Sequence, residues 1–555
     1  MLVLGVNFGF HDPSAALVAD GRLLALAEQE RFSRRKRAPL EMPLDAVTAC
    51  LETAGVRPAD VDAVAWGWDV DRFDPPLPPA PHLDPANALP AGFDPAPPVT
   101  PVAHHVAHAA SAFWASGFPS AAVLIADGQG EREATSLGVA DESGVKLLAT
   151  YPVNASLGHF YRGAAQYAGL ERGASRGEGK LMGLAAYGRP VDAMPLLTGD
   201  GQLALDPRVR VPHTADTRSE MRDALRRWWT THTFPYVSGN TAEQMAYVNF
   251  AASAQAALET ALVNLAAQAR HLTGQRRLVI AGGVAQNCSA NAAIVEAGHF
   301  DEYYVLPVPH DAGVSYGAAL AVAHAEALRT GTPFRPQRLD HAYWGPDVRP
   351  EQVTAALHGS GLHAERLPEE ELLGRVAAAL AEGRIVGWYS GRAEIGPRAL
   401  GARSLLADPR RRETVLRLNT LKGREVWRPL APSVLAERFD EYFEAGLASP
   451  FMNVRAMTRP AVRSRIAAVV HVDGSARPQA VNRADSPRYW SLISAFERLT
   501  GVPVVLNTSF NLAGEPIVNT PAEAVRTFLA GQLDLLVLQD RLVTRPEPAD
   551  PGSAG

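Results

Sequence analysis

A chain of 555 residues exceeds what one hydrophobic core usually supports, so two or three domains are expected, with ample apolar material to bury. Its only cysteines, Cys50 and Cys288, cannot build a disulfide framework, which suits a reducing, cytoplasmic setting and disfavours secretion. The formal net charge of -6 argues against a broad polyphosphate-binding surface, so nucleic acid is not an expected partner, while local basic pockets for nucleotides or small anions stay open.

The opening MLVLGVNFGFHD lacks a basic n-region and breaks its apolar run at Asn7 and His11, so it reads as a core strand and not as a signal peptide. No later stretch reaches the roughly eighteen apolar residues of a membrane helix, and no membrane partner is expected. LVLGVN, SAALVA and RLLALAEQE predict three strands, broken by FGFHDP and by the turn Asp20-Gly21. AAVLIA, ATSLGVA and VKLLATYP repeat that syntax around DGQGERE and the turn at Glu142-Ser143-Gly144. The repetition suggests duplicated, hairpin-led halves and resembles the actin-like ATPases, whose polar loops face one another across a cleft. A plain β-meander fits the same pattern.

Between the halves, DRFDPPLPPAPHLDPANALPAGFDPAPPVTP is too rich in proline for a helix or central strand and predicts a long surface excursion, a lid or lip. Pro101 then opens a helix through VAHHVAHAASAFWA. Val102, Val106, Ala109 and Phe113 share one stripe of it, while His104 and His108 lie about 40° apart on the opposite side, so two imidazoles can converge on one point. His105 is off that face. A structural or solvated histidine pair meets the same spacing. Asp127 and Asp311 each close an apolar strand, where open sheets gather ligands, although a helix N-cap or Asx-turn explains a lone aspartate as well. Two imidazoles and two carboxylates with vacant positions suit iron(II), manganese or zinc.

Helical periodicity runs from about Thr241 to Leu272, and RRLVIAGGVAQNCSAN then predicts a buried strand, a Gly-Gly turn and a helix, a place where a ligand can approach backbone. The pattern restarts at HAYWGPDVRPEQV, which places a domain boundary near Gly345, and the strand RIVGWYS follows. Beyond it, WYSGRAEIGPRALGARSLLADPR, NTLKGREVWRPLAP and VVLNTSFNLAGEPI concentrate anion-binding parts. Arg398 and Arg403 flank a glycine loop, Lys422, Arg424 and Arg428 share a short stretch, and Asn507 and Ser509 follow the strand VPVVL. A solvated basic face is the competing reading. GPRALG is not a Walker loop, and neither a Gly-x-Ser-x-Gly elbow nor a Cys/His nucleophile with a helper is present, so covalent acyl-enzyme chemistry is not expected. The Pro-rich tail, residues 546–555, is expected to be disordered.

HHVAHAASAF, GEGKLMGLAAYG, GGVAQNCSAN and HDAGVSYGAAL together resemble the NodU/CmcH O-carbamoyltransferases over nearly the whole chain. The resemblance implies an α/β fold: a TsaD-like, actin-type duplicated domain over residues 1–345 and a YrdC-like domain over 346–545. It implies iron on His104, His108, Asp127 and Asp311, and catalytic roles for His11 and Lys36 at the acceptor end of the cleft. Gly282, Gly283 and Asn287 would hold an adenylate in the first domain. Arg398, Lys422, Arg424, Arg428, Arg477, Asn507 and Ser509 would hold ATP, its Mg2+ and carbamoyl phosphate in the second. On this pattern carbamoyl phosphate and ATP give carbamoyl-adenylate, and the carbamoyl group passes to a hydroxyl of a small molecule. His11 is the general-base candidate. Taken alone, His11 reads as a loop histidine and Lys36 as part of a solvated basic run. The Ala, Arg and Pro bias points to a GC-rich genome and to secondary metabolites such as antibiotics as acceptors, selected by motif-free loops such as residues 70–101.

A fused tRNA threonylcarbamoyl-adenosine synthase should present a basic surface, which the acidic balance disfavours. An actin-like sugar kinase leaves the second domain unexplained. A non-catalytic module that senses metal and nucleotide is the remaining alternative.

Overall fold

The computed structural model describes residues 1–171, 176–199, 202–211, 217–232, 245–444 and 446–545. The tail and the first residues of the helix expected from Thr241 lie outside the described residues.

The first lobe is built twice from one plan. Strands β1 (Leu2–Asn7), β2 (Ser14–Ala19) and β3 (Arg22–Glu28) form an antiparallel trio, and β4 (Ala63–Trp66) and β5 (Val99–Pro101) join β1 in parallel, giving the order β3-β2-β1-β4-β5. Strands β6 (Ala121–Ala126), β7 (Glu133–Asp141) and β8 (Gly144–Pro152) repeat the trio, and β9 (Arg277–Ala281) and β10 (Glu302–Val305) add the parallel pair. A meander adds no parallel strands, so the repeat is the actin-like one. All six residues of β6 are buried, as expected of a central strand covered on both faces.

Helix α1 (His104–Ser116) packs against α3 (Val314–Thr330), while α2 (Val248–Thr273) packs along the second sheet. Glycine sets the close approach of α3. A Cβ on Gly317 would fall 1.7 Å from Ala107 O, and one on Gly5 of β1 would fall 1.8 Å from Ser315 O. Pro101 ends β5 and does not open the helix. Val102 N–H still donates to Trp66 O at 2.8 Å, so the chain stays in register with the sheet until Ala103, and an edge strand tolerates the proline. The histidine side of α1 is as buried as its apolar stripe. The proline-rich excursion carries three short 3-10 turns and is pinned by the buried Phe73 and Ala88 and by Arg132 Nε–H, which donates to Arg72 O.

The second lobe has its own eight-stranded mixed sheet. Its strands are β11 (His363–Arg366), β12 (Val386–Tyr389), β13 (Arg403–Ala407), β14 (Ala431–Leu435), β15 (Gln479–Val481), β16 (Val504–Ser509), β17 (Leu535–Leu538) and β18 (Arg541–Thr544), in the order β11-β18-β17-β12-β13-β16-β14-β15. Asn507 and Ser509 do not follow a strand but lie within β16, because pairing with β13 continues to Ser404 opposite Ser509. The lobes are stitched by Arg31, donating to Gly396 O, by Arg34, donating to Pro516 O and Ile517 O, and by a 2.9 Å ion pair between Lys180 and Glu425. Among the described residues no helix is long and apolar enough to cross a membrane.

Candidate active site at the seam of the lobes

The duplicated plan brings two polar loops together: the β1–β2 loop with His11 and Asp12, and the β6–β7 loop with Asp127 and Glu131. His104 and His108 on α1 reach the same point, as does Asp311 in the turn before α3. One ligand atom from each of His104, His108, Asp127 and Asp311 lies within 4.8 Å of the others. His104 Nε2 is 3.5 Å from Asp127 Oδ2, and His108 Nε2 is 3.8 Å from that oxygen and 4.0 Å from Asp311 Oδ1. These separations exceed ordinary hydrogen bonds and suit atoms arranged around a shared centre.

His104 Nδ1 is 3.1 Å from Gly67 O, and a carbonyl only accepts, so Nδ1 keeps its proton and Nε2 is left as the ligand atom. Trp68 stacks on the same ring at 3.7 Å. His104 Nε2 and both ring nitrogens of His108 are buried with no hydrogen-bond partner, an arrangement that fits a metal ion. Burial opposes charge on His104, but Asp127 and Asp311 outweigh it and hold its pKa up at about 9. Burial and the neighbouring Asp127 push Asp311 up to about 7. A dication would displace the protons so held. His105 turns away, with Nδ1 2.7 Å from Ser136 Oγ, and is the flank residue that its position on the helix implies.

Glu131 sets the helix. Its buried Oε1 accepts the backbone N–H of His104 at 2.8 Å and that of Asp69 at 2.9 Å, tying the start of α1 to the segment that stacks on and hydrogen-bonds His104. Glu131→Ala should weaken metal binding about 10- to 100-fold in a chelator-competition titration, whereas Glu131→Gln, which keeps the acceptor oxygen, should retain most of it. Equal affinity in all three proteins would contradict this role.

Gly283 N–H donates to Asp127 Oδ1 at 2.7 Å. Gly282 has φ +93°, and a Cβ there would fall 2.2 Å from Ala126 O, so the Gly-Gly turn braces the ligand strand. Gly283 and Asn287 line the cavity; Gly282 sits behind it. Asn287 also caps the next helix through Ala290 N–H and exchanges hydrogen bonds with Gln255.

His11 Nδ1 lies 3.2 Å from Asp311 Oδ2, 3.0 Å from Asp12 Oδ2 and 2.9 Å from Arg37 Nη2. Burial, then Arg37, pushes its pKa down to about 3, so its ring is neutral at physiological pH. Lys36 lines the same cavity as His11, burial and then Arg428 of the second lobe lower its pKa, and it repels Lys422 there.

A cavity of about 700 Å³ joins the two motif sets, lined by His11, Lys36, Asp127 and Asp311 from one lobe and by Arg398, Lys422, Arg424, Arg428 and Ser509 from the other. Lys422 Nζ donates to Ser509 O, to Asn511 O at 2.9 Å and to Asn511 Oδ1 at 2.8 Å, and among the described residues no carboxylate forms an ion pair with it. Burial, then the neighbouring Arg424, holds its pKa well below the usual lysine range. Burial and Arg477 bring Arg398 down to about 9, and burial and Arg428 bring Arg424 to about 9. Only Glu425, 3.8 Å from Arg428, pairs with this bank among the described residues, and crowded cations of this kind are suited to phosphate groups. Arg477 stands behind this wall. Asn507 does not line the cavity: its Nδ2 donates to Ala399 O at 3.2 Å and to Ser433 Oγ at 3.1 Å. Arg403 is also withdrawn, its guanidinium stacked 3.7 Å over Tyr389 and donating to the carbonyls of Ser390, Gly391 and Ala402. The β13–β16 register puts the two on opposite faces of the sheet, both buried.

Sequence reading missed Asp12, Arg37, Glu131, Trp68 and the pair of Glu28 with His310. Their signal is position only, since each follows a strand or flanks a ligand already singled out.

Buried imidazoles facing carboxylates share one cavity with a bank of Lys and Arg side chains from the second lobe, in an α/β fold. The chain belongs to the carbamoyltransferase family: residues 2–74 and 93–320 match its model of the carbamoyltransferase N-terminus, and residues 377–545 that of the carbamoyltransferase C-terminus. It is 36% identical over 564 residues to nodulation protein NolNO of Sinorhizobium fredii, covering 97% of this chain and 80% of that one. It is 38% identical over 451 residues to nodulation protein NolO of Bradyrhizobium diazoefficiens, covering 80% and 79%. Among solved structures, HypF of T. kodakarensis covers 59% of this chain and 47% of its own at 14% identity and a TM-score of 0.36, a likeness too slight to carry an argument.

Proposed function

We propose that this carbamoyltransferase converts carbamoyl phosphate, ATP and water to carbamoyl-adenylate, pyrophosphate and phosphate at the second-lobe wall, and transfers the carbamoyl group to a small-molecule hydroxyl beside the His/Asp cluster. The single observation that carries this reading is the cavity itself, which puts both sets of residues in one space. The adenylate need not cross bulk water, which matters for a reactive mixed anhydride.

Lys422, Arg398, Arg424 and Arg428 would hold the phosphate charges of ATP and carbamoyl phosphate, ATP arriving with Mg2+. Lys36, between the two sets, would stay with the adenylate phosphate, and Gly283 and Asn287 would support it in the first lobe. His104, His108, Asp127 and Asp311 would hold an iron(II)-type ion, with manganese or zinc as substitutes. Such an ion supplies Lewis acidity where charge develops during transfer. His11, neutral but a weak base at a pKa of about 3, orients the attacking hydroxyl and takes its proton only as the new C–O bond forms. AMP leaves as the carbamate ester forms. The setting is cytoplasmic, where ATP and carbamoyl phosphate are made.

A hydroxylated acceptor should gain a carbamoyl group, read by mass spectrometry, only when ATP and carbamoyl phosphate are both present. Carbamoylation by carbamoyl phosphate alone would overturn the adenylate step.

Acceptor choice should lie in the excursion. Residues 75–92 fall between the matched segments of the family model, and Leu83 there sits close to Gly9, beside Phe10 and His11 of the cavity. Excising part of 75–92 should change which alcohols are carbamoylated while leaving pyrophosphate release nearly intact. Equal loss of both would count against that assignment.

A further inference from the structure

One wall of the cavity holds three guanidinium groups to which the reaction just described assigns no ligand, although one of them, Arg37, also contacts His11. Arg37 comes from the loop after β3, Arg162 from the helix Leu157–Tyr167, and Arg176 from the segment before the helix Glu178–Ala185. We propose that Arg37, Arg162 and Arg176 form a subsite for an anionic group, a carboxylate or a phosphate monoester, carried by the hydroxyl acceptor. The proposal rests on the carbamoyl-transfer reading and names its substrate class.

Position is the first argument. Asp127 Oδ1 takes the Gly283 N–H and its Oδ2 faces His104 and His108, whereas Asp311 Oδ1 faces His108 and its Oδ2 faces His11. The His/Asp cluster therefore stands between the glycine turn and the His11–Arg37 pair. An anion held by the arginines lies on the side from which a hydroxyl reaches His11.

Spare hydrogen-bonding capacity is the second. Arg37 Nη2 is bound to Asp12 Oδ2 at 2.5 Å and Arg162 Nη2 to Glu171 Oε1 at 2.9 Å, yet the Nε of each is buried with no partner. Arg176 reaches only to 3.9 Å from Glu178 Oε1, outside hydrogen-bond distance, and makes no hydrogen bond among the described residues. Charge supplies the third. Burial, then Arg37 and Arg162, brings the Arg176 pKa down to about 10, the mark of a cation crowded by like charges. Asp12, Glu171 and Glu178 offset part of that charge, and guanidinium forks match the oxygens of a further carboxylate or phosphate two at a time. The phosphorylated donors already have Arg398, Lys422, Arg424 and Arg428 at the other end, so this wall is surplus to their needs.

An acceptor bearing amines would be repelled here. The test varies charge on one scaffold, with glucose, glucosamine, glucuronate and glucose 6-phosphate titrated calorimetrically into the full-length protein. Glucuronate and glucose 6-phosphate should bind about ten- to a hundredfold more tightly than glucose, the equivalent of one charge-assisted contact, and glucosamine no better than glucose. The double variant Arg162→Ala/Arg176→Ala should erase that advantage, and Arg176→Lys, which keeps the charge and spares the fold, should retain part of it. Equal binding of glucose and glucuronate by the unaltered protein would overturn the proposal. So would a double variant that loses AMP affinity as steeply as glucuronate affinity, since the wall would then serve the nucleotide phosphate. A protein that binds the anionic sugars as expected but forms no carbamoylated product would contradict the transfer reading and leave the subsite standing.

Discussion

Replacing His104 and His108 together by alanine should leave the purified protein without its metal and lower carbamoylation of any alcohol roughly a hundredfold or more, while carbamoyl-phosphate-dependent pyrophosphate release persists. The two rings would supply both nitrogen ligands of the cluster, and among the described residues neither Nε2 has another hydrogen-bonding task, so their removal would take half of that set without breaking a hydrogen bond there. On the proposed reading, loss of Lewis-acid assistance would raise the barrier of the transfer step alone, because the second-lobe cations lie outside the cluster. Elemental analysis after anaerobic purification reads the first effect and paired product assays read the second. Full metal occupancy persisting in the double variant would refute the ligand assignment.

Lys422→Ala should act on the other half of the cycle. Its ammonium is buried and donates to neutral acceptors, the carbonyls of Ser509 and Asn511, the Ser509 hydroxyl and the Asn511 side chain, with no carboxylate in ion-pair contact among the described residues. A phosphate oxygen completes that coordination, and removing one charge-assisted contact costs roughly 1.5 to 3 kcal/mol, or about ten- to a hundredfold in rate. Pyrophosphate release and carbamoylated product should fall together by that factor. Carbamoyl-adenylate supplied directly should then restore product, since His11 and the His/Asp cluster are untouched. A variant with normal fold and metal content that the adenylate fails to rescue would mean that the two steps share one set of contacts. Lys36 makes that outcome a pointed question, because it belongs to the first lobe and yet crowds Lys422.

The fold was legible where periodicity and punctuation agree. The two hairpin-led trios and the strand into the Gly-Gly turn are written in alternation and turn residues, while the i, i+4 spacing put His104 and His108 on one face without separating a ligand pair from a structural one. Asp127 and Asp311 needed the sheet, because their convergence depends on β9 lying between β6 and β10, an arrangement made by residues far apart in sequence. Pro101 misled because a proline opens helices and closes edge strands with the same fixed φ. Asn507 shares the face of Ser509, and what separates the two is depth along β16, which side-chain chemistry does not encode. The meeting of Lys36 with Lys422 had no local signal, for it depends on how one lobe seats on the other. The arginine wall was invisible for the same reason, its members lying on three separate segments.

The most direct test of the central claim is the nucleotide left behind when the unaltered protein turns over ATP, carbamoyl phosphate and Mg2+ without an acceptor. Formation of carbamoyl-adenylate requires that ATP break between its α- and β-phosphates, so pyrophosphate should appear in step with the adenylate or its hydrolysis product AMP, and only when carbamoyl phosphate is present. ADP as the nucleotide product, with no pyrophosphate, would contradict it and return the first lobe to kinase-type chemistry.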